Sequence, residues 1–261
     1  MVEGNKSERE PTAGEVVVQT EKVEPVQIEK PRTDWTPETK LGTDVLEGKI
    51  KSIDEIFDRG MKITESGIVD FLMPDLATET VLIGGSTGKG GGIRRTPTRR
   101  TARMHKSGRR YRMSAMVIVG NNNGYVGIGL AHGPTGKQRD VVKKAVNKAK
   151  LNLIPVRRGC GSWECGCGGP HSVPFAVTGK SGSVRILLKP APKGIGLCVS
   201  NEVKKVMRLA GIRDIWCKTR GESQTRVNFI KAAFNALKRT DAVRVQEKFG
   251  KPVGLAVGRV G

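Results

Sequence analysis

The sequence predicts a two-domain α/β protein, because strand-like and helix-like patterns of apolar residues alternate in two separate stretches of the chain. The 261 residues suffice for two small domains that each bury a core. Apolar residues make up only 37% of the chain and 34 residues are glycine, so we expect compact domains with disordered ends. The predicted division is a disordered acidic tail over 1–34, a first domain over 35–155, a linker over 156–175, a second domain over 176–240 and an extended tail over 241–261.

The first domain is predicted to begin with short helical segments. Ser52 is a candidate N-cap for a helix over 53–59, and Gly60 is a candidate stop. A second short segment over 65–76 leads to the apolar run at 81–83.

A Gly- and Arg-rich insert at 84–110 follows and superficially resembles a phosphate-binding loop. The spacing of such a loop fails, because Ile83 stands where its first Gly is needed and Gly90 where Ser or Thr holds magnesium. Nucleotide hydrolysis is therefore rejected. The sequence also lacks a nucleophile elbow, a zinc helix containing Glu and a paired-carboxylate motif, so it predicts no enzyme.

A hairpin and a helix are predicted to form the body of the first domain. The strand at 111–119 alternates, with one face made of Met113, Ala115, Val117 and Val119. Asn and Gly at 121–124 suit a tight turn, and the returning strand places Val126, Ile128 and Leu130 on a common face. The helix over 137–152 presents an apolar stripe of Val142, Ala145, Val146, Ala149 and Leu153. The result is an antiparallel sheet backed by one basic helix.

The second domain is predicted to be another α/β sandwich. Its elements are a strand over 183–189, a rigid turn over 190–196, a helix capped by Ser200 and ended by Gly211, a strand over 214–219 and a helix over 225–238. The inward faces of the two helices are Val203, Val206, Met207 and Ala210 in the first, and Val227, Ile230, Phe234 and Leu237 in the second.

Charge indicates a polyanionic partner. The formal net charge is +21, and the stretch over 89–112 contains ten Lys or Arg and no Asp or Glu. Such an arm suits phosphate contacts, although a merely solvated basic loop is the alternative. An anionic membrane surface would also attract it, but no apolar run has the length to span a bilayer and no signal-peptide segment is expected.

Composition favours folded RNA among the polyanions. Aromatic residues are only 4% of the chain, whereas modules that read single strands stack bases on aromatic side chains. Charge alone does not distinguish RNA from DNA. The basic candidates for RNA contact are Arg94, Arg95, Arg99, Arg100, Arg103, Lys106, Arg109, Arg110, Arg112, Lys143 and Lys144.

The linker contains a candidate metal site. Cys160, Cys165, Cys167 and His171 follow a C-x4-C-x-C-x3-H spacing, and thiolates with an imidazole suit structural zinc without an open catalytic position. Interleaved glycines are expected to let the backbone wrap tightly round an ion: Gly161, Gly166, Gly168 and Gly169. Unpaired thiols or a disulfide framework are the alternatives. Four further side chains are given no ligand role: Cys198 and Cys217 as small buried hydrophobes, His105 as a phosphate or solvent contact, and His132 without a partner.

Several longer strings resemble the universal S-five family of small-subunit ribosomal proteins. They are SGRRYRMSAMVIVGNNNGYVGIGLAHG, GSVRILLKPAPKGIG, LAGIRDIWCKTRGE and VNFIKAAFNALK. The resemblance covers about 35–240, and the linker RGCGSWECGCGGPHSVPF resembles the archaeal branch, which favours zinc. The acidic tail, the insert at 84–101 and the residues after 240 depart from the family pattern.

The resemblance implies more than the residues do. It implies a first domain like the double-stranded-RNA-binding fold and a second with a left-handed β-α-β crossover. It implies a cytoplasmic, ribosome-bound structural protein that binds small-subunit ribosomal RNA between the body and head and contributes to translational accuracy. Implied neighbours are proteins of the S-four and S-eight families and messenger RNA where it enters. The loop that reaches ribosomal RNA corresponds to Lys106, Ser107, Gly108, Arg109 and Arg110.

Two other functional classes compete with this interpretation. An RNA-dependent ATPase or nuclease would need a site that the failed P-loop spacing does not supply. A free double-stranded-RNA-binding regulator would share the charge but would not remain with small subunits through a high-salt wash.

Overall fold

A computed structural model describes residues 35–87, 92–243, 245–246, 248, 250 and 253–258. They belong to the compact unit Pro31–Gly261. The acidic tail predicted over 1–34 lies outside the described residues. No helix in the described part of the chain is long and apolar enough to cross a membrane.

Three short helices open the described chain: α1 (Lys40–Leu46), α2 (Ile53–Asp58) and α3 (Ser66–Leu72). The predicted cap of α2 is confirmed, since the Ser52 side chain accepts a hydrogen bond from the backbone N–H of Glu55. Gly60 follows the helix with a φ of +66°, which suits a residue without Cβ.

The strands and helix of the first half come next along the chain: β1 (Ala77–Thr80), β2 (Gly84–Thr87), β3 (Ile93–Thr96), β4 (Thr98–His105), β5 (Gly108–Gly120), β6 (Tyr125–Pro134), α4 (Gln138–Leu151) and β7 (Leu153–Pro155). Five strands form an antiparallel sheet in the order β1-β5-β6-β7, and β4 pairs with the free half of β5. The pair β2 and β3 forms a separate ribbon.

The Gly- and Arg-rich insert is mostly strand, which corrects the expectation of a loop. Strand β4 pairs with β5 from Thr98 opposite Ala115 to His105 opposite Gly108. Gly108 has a φ of +100°, which permits the tight reversal between the two strands. The sequence concealed β4 because its residues are almost all exposed, so no alternation of apolar and polar side chains marked it.

Helix α4 packs on β5 and β6 at close range. A Cβ on Gly129 would lie 2.0 Å from the carbonyl oxygen of Ala145, so only glycine fits beneath the helix there. The predicted stripe is confirmed at Ala145 and Ala149, which are buried. Val141 completes the buried face although the sequence interpretation placed Val142 there.

The second half contains β8 (Val177–Ser181), β9 (Val184–Pro190), β10 (Leu197–Cys198), α5 (Asn201–Leu209), β11 (Ile215–Arg220) and α6 (Arg226–Asp241). The sheet has the order β10-β11-β9-β8, with β10 parallel to β11 and the other pairs antiparallel. Ser200 precedes α5 at the N-cap position but makes no side-chain capping bond. Gly211 ends α5 as predicted, with a φ of +77° and a following bond from the Ile212 N–H to the Met207 carbonyl.

Strand β5 is buried on both faces over its second half. Ala115, Val117 and Val119 pack with α1–α4 in one core, whereas Met116 and Ile118 belong to a second core that includes α5 and α6. The predicted face of β5 is therefore only one of two. The second core draws residues from both segments that the sequence assigned to separate domains, and the predicted domain boundaries remain a prediction.

The described part of the C-terminal tail folds back on the linker. Arg158 and Ala256 exchange two backbone hydrogen bonds, with N···O distances of 2.9 and 2.8 Å. The N–H of Cys160 donates to the carbonyl of Val253 at 2.7 Å. The tail predicted as extended thus contacts the cysteine-containing segment.

Candidate nucleic-acid interface and metal centre

The β4–β5 hairpin separates its arginines onto two faces. Residues directly opposite each other in an antiparallel pair point to the same side of the sheet. Arg103 lies opposite Arg110, so these two guanidinium groups share a face and repel each other. Like charges directly opposite each other destabilise a sheet, and an anion between them would offset this repulsion. We call this side the cleft face; it also contains Arg99 and Arg112.

The cleft face borders an open cavity of about 1320 Å³. Glu222 and the first turn of α6 lie across from the hairpin, and Glu222 is the acidic residue among the described residues that line the cavity. The predicted RNA-binding residues that the structure brings together here are Arg95, Arg99, Arg103, Arg110, Arg112 and Lys144.

The other predicted RNA-binding residues lie outside this cavity. They are exposed, at Arg94, Arg100, Lys106, Ser107, Gly108, Arg109 and Lys143. Arg100 stacks its guanidinium carbon 3.6 Å from the centroid of the Tyr111 ring on the opposite face of the hairpin, which we call the outer face. At the turn, Arg110 donates a hydrogen bond to Ser107 Oγ at 3.3 Å.

His132 is a cleft residue that the sequence interpretation left without a partner. Its Nδ1 is hydrogen-bonded to Ser114 Oγ at 2.7 Å, and both residues line the cavity. Burial, and then the positive charge of Arg112, lower the pKa of His132 below its usual 6.5. In a hairpin with its turn at 121–124, Ser114 lies opposite His132. The register of the predicted hairpin was therefore sufficient to identify Ser114 as a neighbour of His132.

The four predicted metal ligands converge. The ligand atoms of Cys160, Cys165, Cys167 and His171 all lie within 4.8 Å of one another. Tetrahedral zinc with thiolate ligands separates its ligand atoms by roughly 3.8 Å, so a small contraction would complete the geometry. Burial raises the pKa of the Cys160 thiol, whereas a backbone hydrogen bond from Lys193 is the largest of the causes that lower the pKa of Cys165 to about 6.

Asp214 holds the imidazole of this cluster. His171 Nδ1 lies 2.9 Å from Asp214 Oδ2, and both side chains are buried. The other oxygen of Asp214 accepts hydrogen bonds from the N–H groups of Gly194 and Gly196 at 3.1 and 2.8 Å. A carboxylate on Nδ1 favours the tautomer with the proton there, which leaves Nε2 free for a metal. Nothing in the sequence spacing pointed to Asp214, since 43 residues separate it from His171.

The loop is closed at its base by an exchange of backbone hydrogen bonds between Gly159 and Ser172 at 2.9 and 3.1 Å. Two of the four interleaved glycines are required by the local geometry. A Cβ on Gly161 would lie 1.9 Å from the Pro174 carbonyl oxygen, and Gly168 has a φ of +60°. Gly166 has open space around it, so the geometry there does not require glycine.

The remaining cysteines differ from the prediction that both are buried. Cys198 is exposed because it lies on β10, a two-residue strand at the edge of the sheet. Cys217 is partly buried on β11, and burial raises its pKa to about 11.

Known proteins match most of the chain. The small ribosomal subunit protein uS5 of Methanospirillum hungatei is 48% identical over 214 residues, which are 82% of this chain and 96% of that protein. The protein of that name from Methanothermobacter thermautotrophicus is 48% identical over 85% of this chain and 95% of its own length. The family models of the N-terminal and C-terminal domains of ribosomal protein S5 match residues 97–157 and 179–248. The chain belongs to the ribosomal protein S5 family.

This membership confirms the predicted family and the mixed α/β fold with antiparallel sheets. The uS5 protein of Nanoarchaeum equitans is 46% identical over 87% of this chain, so archaeal proteins are among the relatives. The N-terminal S5 match spans the β4–β5 hairpin, whereas the Cys/His cluster lies between the two matched segments.

Proposed function

We propose that this chain is a structural, non-enzymatic protein of the small ribosomal subunit that binds ribosomal RNA, ribosome-bound in the cytoplasm. The printed names of the relatives support the assignment to the small subunit. The basic cleft supports RNA as the ligand, since Arg103 and Arg110 lie side by side on the face of the hairpin that borders it. These names also disfavour a free double-stranded-RNA-binding regulator.

The mechanism is stoichiometric binding. Guanidinium groups make bidentate hydrogen bonds to phosphates and thereby fix the orientation of an RNA helix without reading its sequence. The cleft face offers these groups from strands whose backbones are already paired, so little ordering of the main chain accompanies binding. The exposed His132 and the buried Ser114 line the same cavity, where a sugar or phosphate oxygen would find hydrogen-bonding partners.

The test compares the cleft face with exposed arginines elsewhere on the molecule. Arg103→Gln with Arg110→Gln removes two charges from the cleft face, and Arg59→Gln with Arg185→Gln removes two exposed charges outside the cleft. Binding of the whole chain to structured ribosomal RNA fragments is measured against salt concentration. We expect the cleft variant to lower the log–log salt slope by about two and the control variant to change it much less. Equal effects of the two variants would reject the cleft as the principal contact.

A second measurement separates the ribosomal protein from a free regulator. The tagged chain is expressed in an archaeal host and sedimented with small subunits through a high-salt wash. A stoichiometric ribosomal protein remains with the subunit in a ratio near one, whereas a regulator is removed.

We infer that the Cys/His cluster binds one structural zinc ion. Three thiolates and one imidazole fit this metal, and the buried Asp214 fixes the imidazole in the required tautomer. Elemental analysis of protein purified without chelators should give one zinc per chain. Cys165→Ser should lose the metal and Cys217→Ser should retain it, since Cys217 lies on β11 outside the cluster. Metal-free parent protein would reject the site.

We further infer the finer features of the family for this chain. The segment 35–155 would adopt a double-stranded-RNA-binding-like arrangement, and the parallel connection from β10 through α5 to β11 would be left-handed. The chain would contact neighbours of the S-four and S-eight families and messenger RNA where it enters the subunit. An experimental structure of the subunit tests these points together.

A role in translational accuracy is proposed for the hairpin turn. Lys106 and Arg109 are exposed there, outside the cleft, where they could grip RNA that moves with the subunit head. Lys106→Ala with Arg109→Ala, which keeps the cleft arginines, should leave subunit yield nearly normal and change near-cognate misreading in a translation assay. Reduced yield with unaltered misreading would make the turn an anchor instead.

A further inference from the structure

Arg158 is a buried guanidinium that has no acidic partner among the described residues. Its exposed fraction is 5%. One terminal nitrogen, Nη2, donates to Asn123 Oδ1 at 2.7 Å and to the carbonyl oxygen of Gly258 at 3.3 Å. Its Nε has no hydrogen-bond partner in the described part of the chain. Because a buried charge is normally paired, this arrangement leaves most of the positive charge without a counter-charge in the described part of the chain.

The guanidinium lines an open cavity of about 940 Å³ that is separate from the basic cleft, since no described residue lines both. Three further cations, exposed at the surface, line it as well: Lys193, Arg208 and Arg213. The described lining contains no Asp or Glu. The position of Arg158 also requires a glycine, since a Cβ on Gly211 would lie 2.7 Å from Arg158 Nη1.

The neighbouring Cys/His cluster does not balance this charge. Three thiolates with one Zn²⁺ sum to a single negative charge, against four cations in the lining. A bound anion would offset the positive charge that remains.

We propose that this cavity binds a phosphate group, with Arg158 as its floor and Lys193, Arg208 and Arg213 around it, and that the phosphate belongs to the backbone of structured RNA. Arginine matches phosphate because its planar fork of N–H groups makes paired hydrogen bonds to two oxygens. The inference rests on the proposed RNA-binding function and adds a second contact. The cavity lies beside the Cys/His cluster, and its lining includes Cys167 and His171. A zinc ion bound by the cluster would therefore hold this part of the cavity wall in place.

The test observes the Nε–H of Arg158 directly. The zinc-loaded full chain, labelled with ¹⁵N, is titrated with inorganic phosphate at constant ionic strength set by chloride, and separately with a ribosomal RNA helix. The arginine signal is assigned through Arg158→Lys. We expect a saturable shift of this signal in both titrations, because a phosphate beside the guanidinium changes the electronic environment of its Nε–H.

Matched variants keep the test independent of folding around Arg158. Arg208→Gln with Arg213→Gln changes exposed residues of the cavity, whereas Arg59→Gln with Arg185→Gln changes exposed residues outside both cavities. The first pair should weaken phosphate binding by about tenfold for each removed contact. The second pair should leave it at the parent level.

The outcomes distinguish this inference from the proposed function. A shift with phosphate but not with RNA would keep the phosphate site and reject RNA as its source. An RNA-binding chain whose Arg158 signal responds to neither probe would overturn the inference and leave the proposed function standing. A chain that binds no RNA would overturn the proposed function, and the phosphate titration would then decide the cavity alone.

Discussion

The Asp214 side chain connects the candidate metal ligand His171 to the turn that precedes β10. One of its oxygens lies against His171 and the other accepts the N–H groups of the turn before β10. We expect Asp214→Asn to lower zinc affinity by about 10- to 100-fold, since an amide holds the imidazole less firmly and does not raise its basicity. Competition with a chromophoric chelator measures the affinity. The exposed Asp75→Asn is the control, and an unchanged affinity in Asp214→Asn would remove Asp214 from the site.

His132 should report on occupancy of the basic cleft. Its pKa is lowered in the folded protein, so the unfolded chain binds more protons just below pH 6.5. The free energy of unfolding should therefore fall as the pH drops through that window, and His132→Gln should remove this component. RNA in the cleft supplies phosphates that favour imidazolium, so binding should raise the pKa in an NMR titration. A pKa that RNA leaves unchanged would place the phosphates away from His132.

The contact between α4 and β6 depends on glycine at the element scale. The backbone of α4 lies so close to the strand that a Cβ on Gly129 would overlap the Ala145 carbonyl. Gly129→Ala should lower the free energy of unfolding by about 1–3 kcal/mol, measured by denaturant titration. Gly92→Ala is the control, since a Cβ there meets no atom within 4 Å. Parent-like stability of Gly129→Ala would mean that the helix lies farther from the sheet.

Elements with a buried apolar face could be predicted from the sequence, and elements without one could not. Helix α6 was placed correctly because Ile230, Phe234 and Leu237 mark one side of it. Strand β4 was missed because pairing with β5 holds it in place while its side chains remain exposed. The four candidate metal ligands could be predicted because they are close together in the sequence, whereas Asp214 could not, since 43 residues separate it from His171.

The proposed zinc ion should affect the whole molecule, because the linker that contains its ligands contacts the C-terminal tail and, through Asp214, the turn before β10. Cys160 bonds through its backbone to Val253, and Arg158 pairs with Ala256. Removing zinc with a chelator should lower the melting temperature and increase hydrogen exchange at the Cys160 amide. Amides in the centre of β5, such as Val117, should retain their protection, and added zinc should restore the rest. Unchanged exchange at Cys160 would show that the linker is ordered without metal.

Burial of β5 on both faces has a consequence for the synthesis of the chain. One face of the strand is covered by α4, which follows closely along the chain, but Met116 and Ile118 belong to a core that also needs Ile230 and Leu237. A ribosome that adds about 5–20 residues per second needs on the order of ten seconds to synthesise the chain between β5 and α6. During this interval the nascent hairpin exposes an apolar strip. The newly made protein should therefore depend on chaperones between the emergence of its first sheet and the arrival of its last helix.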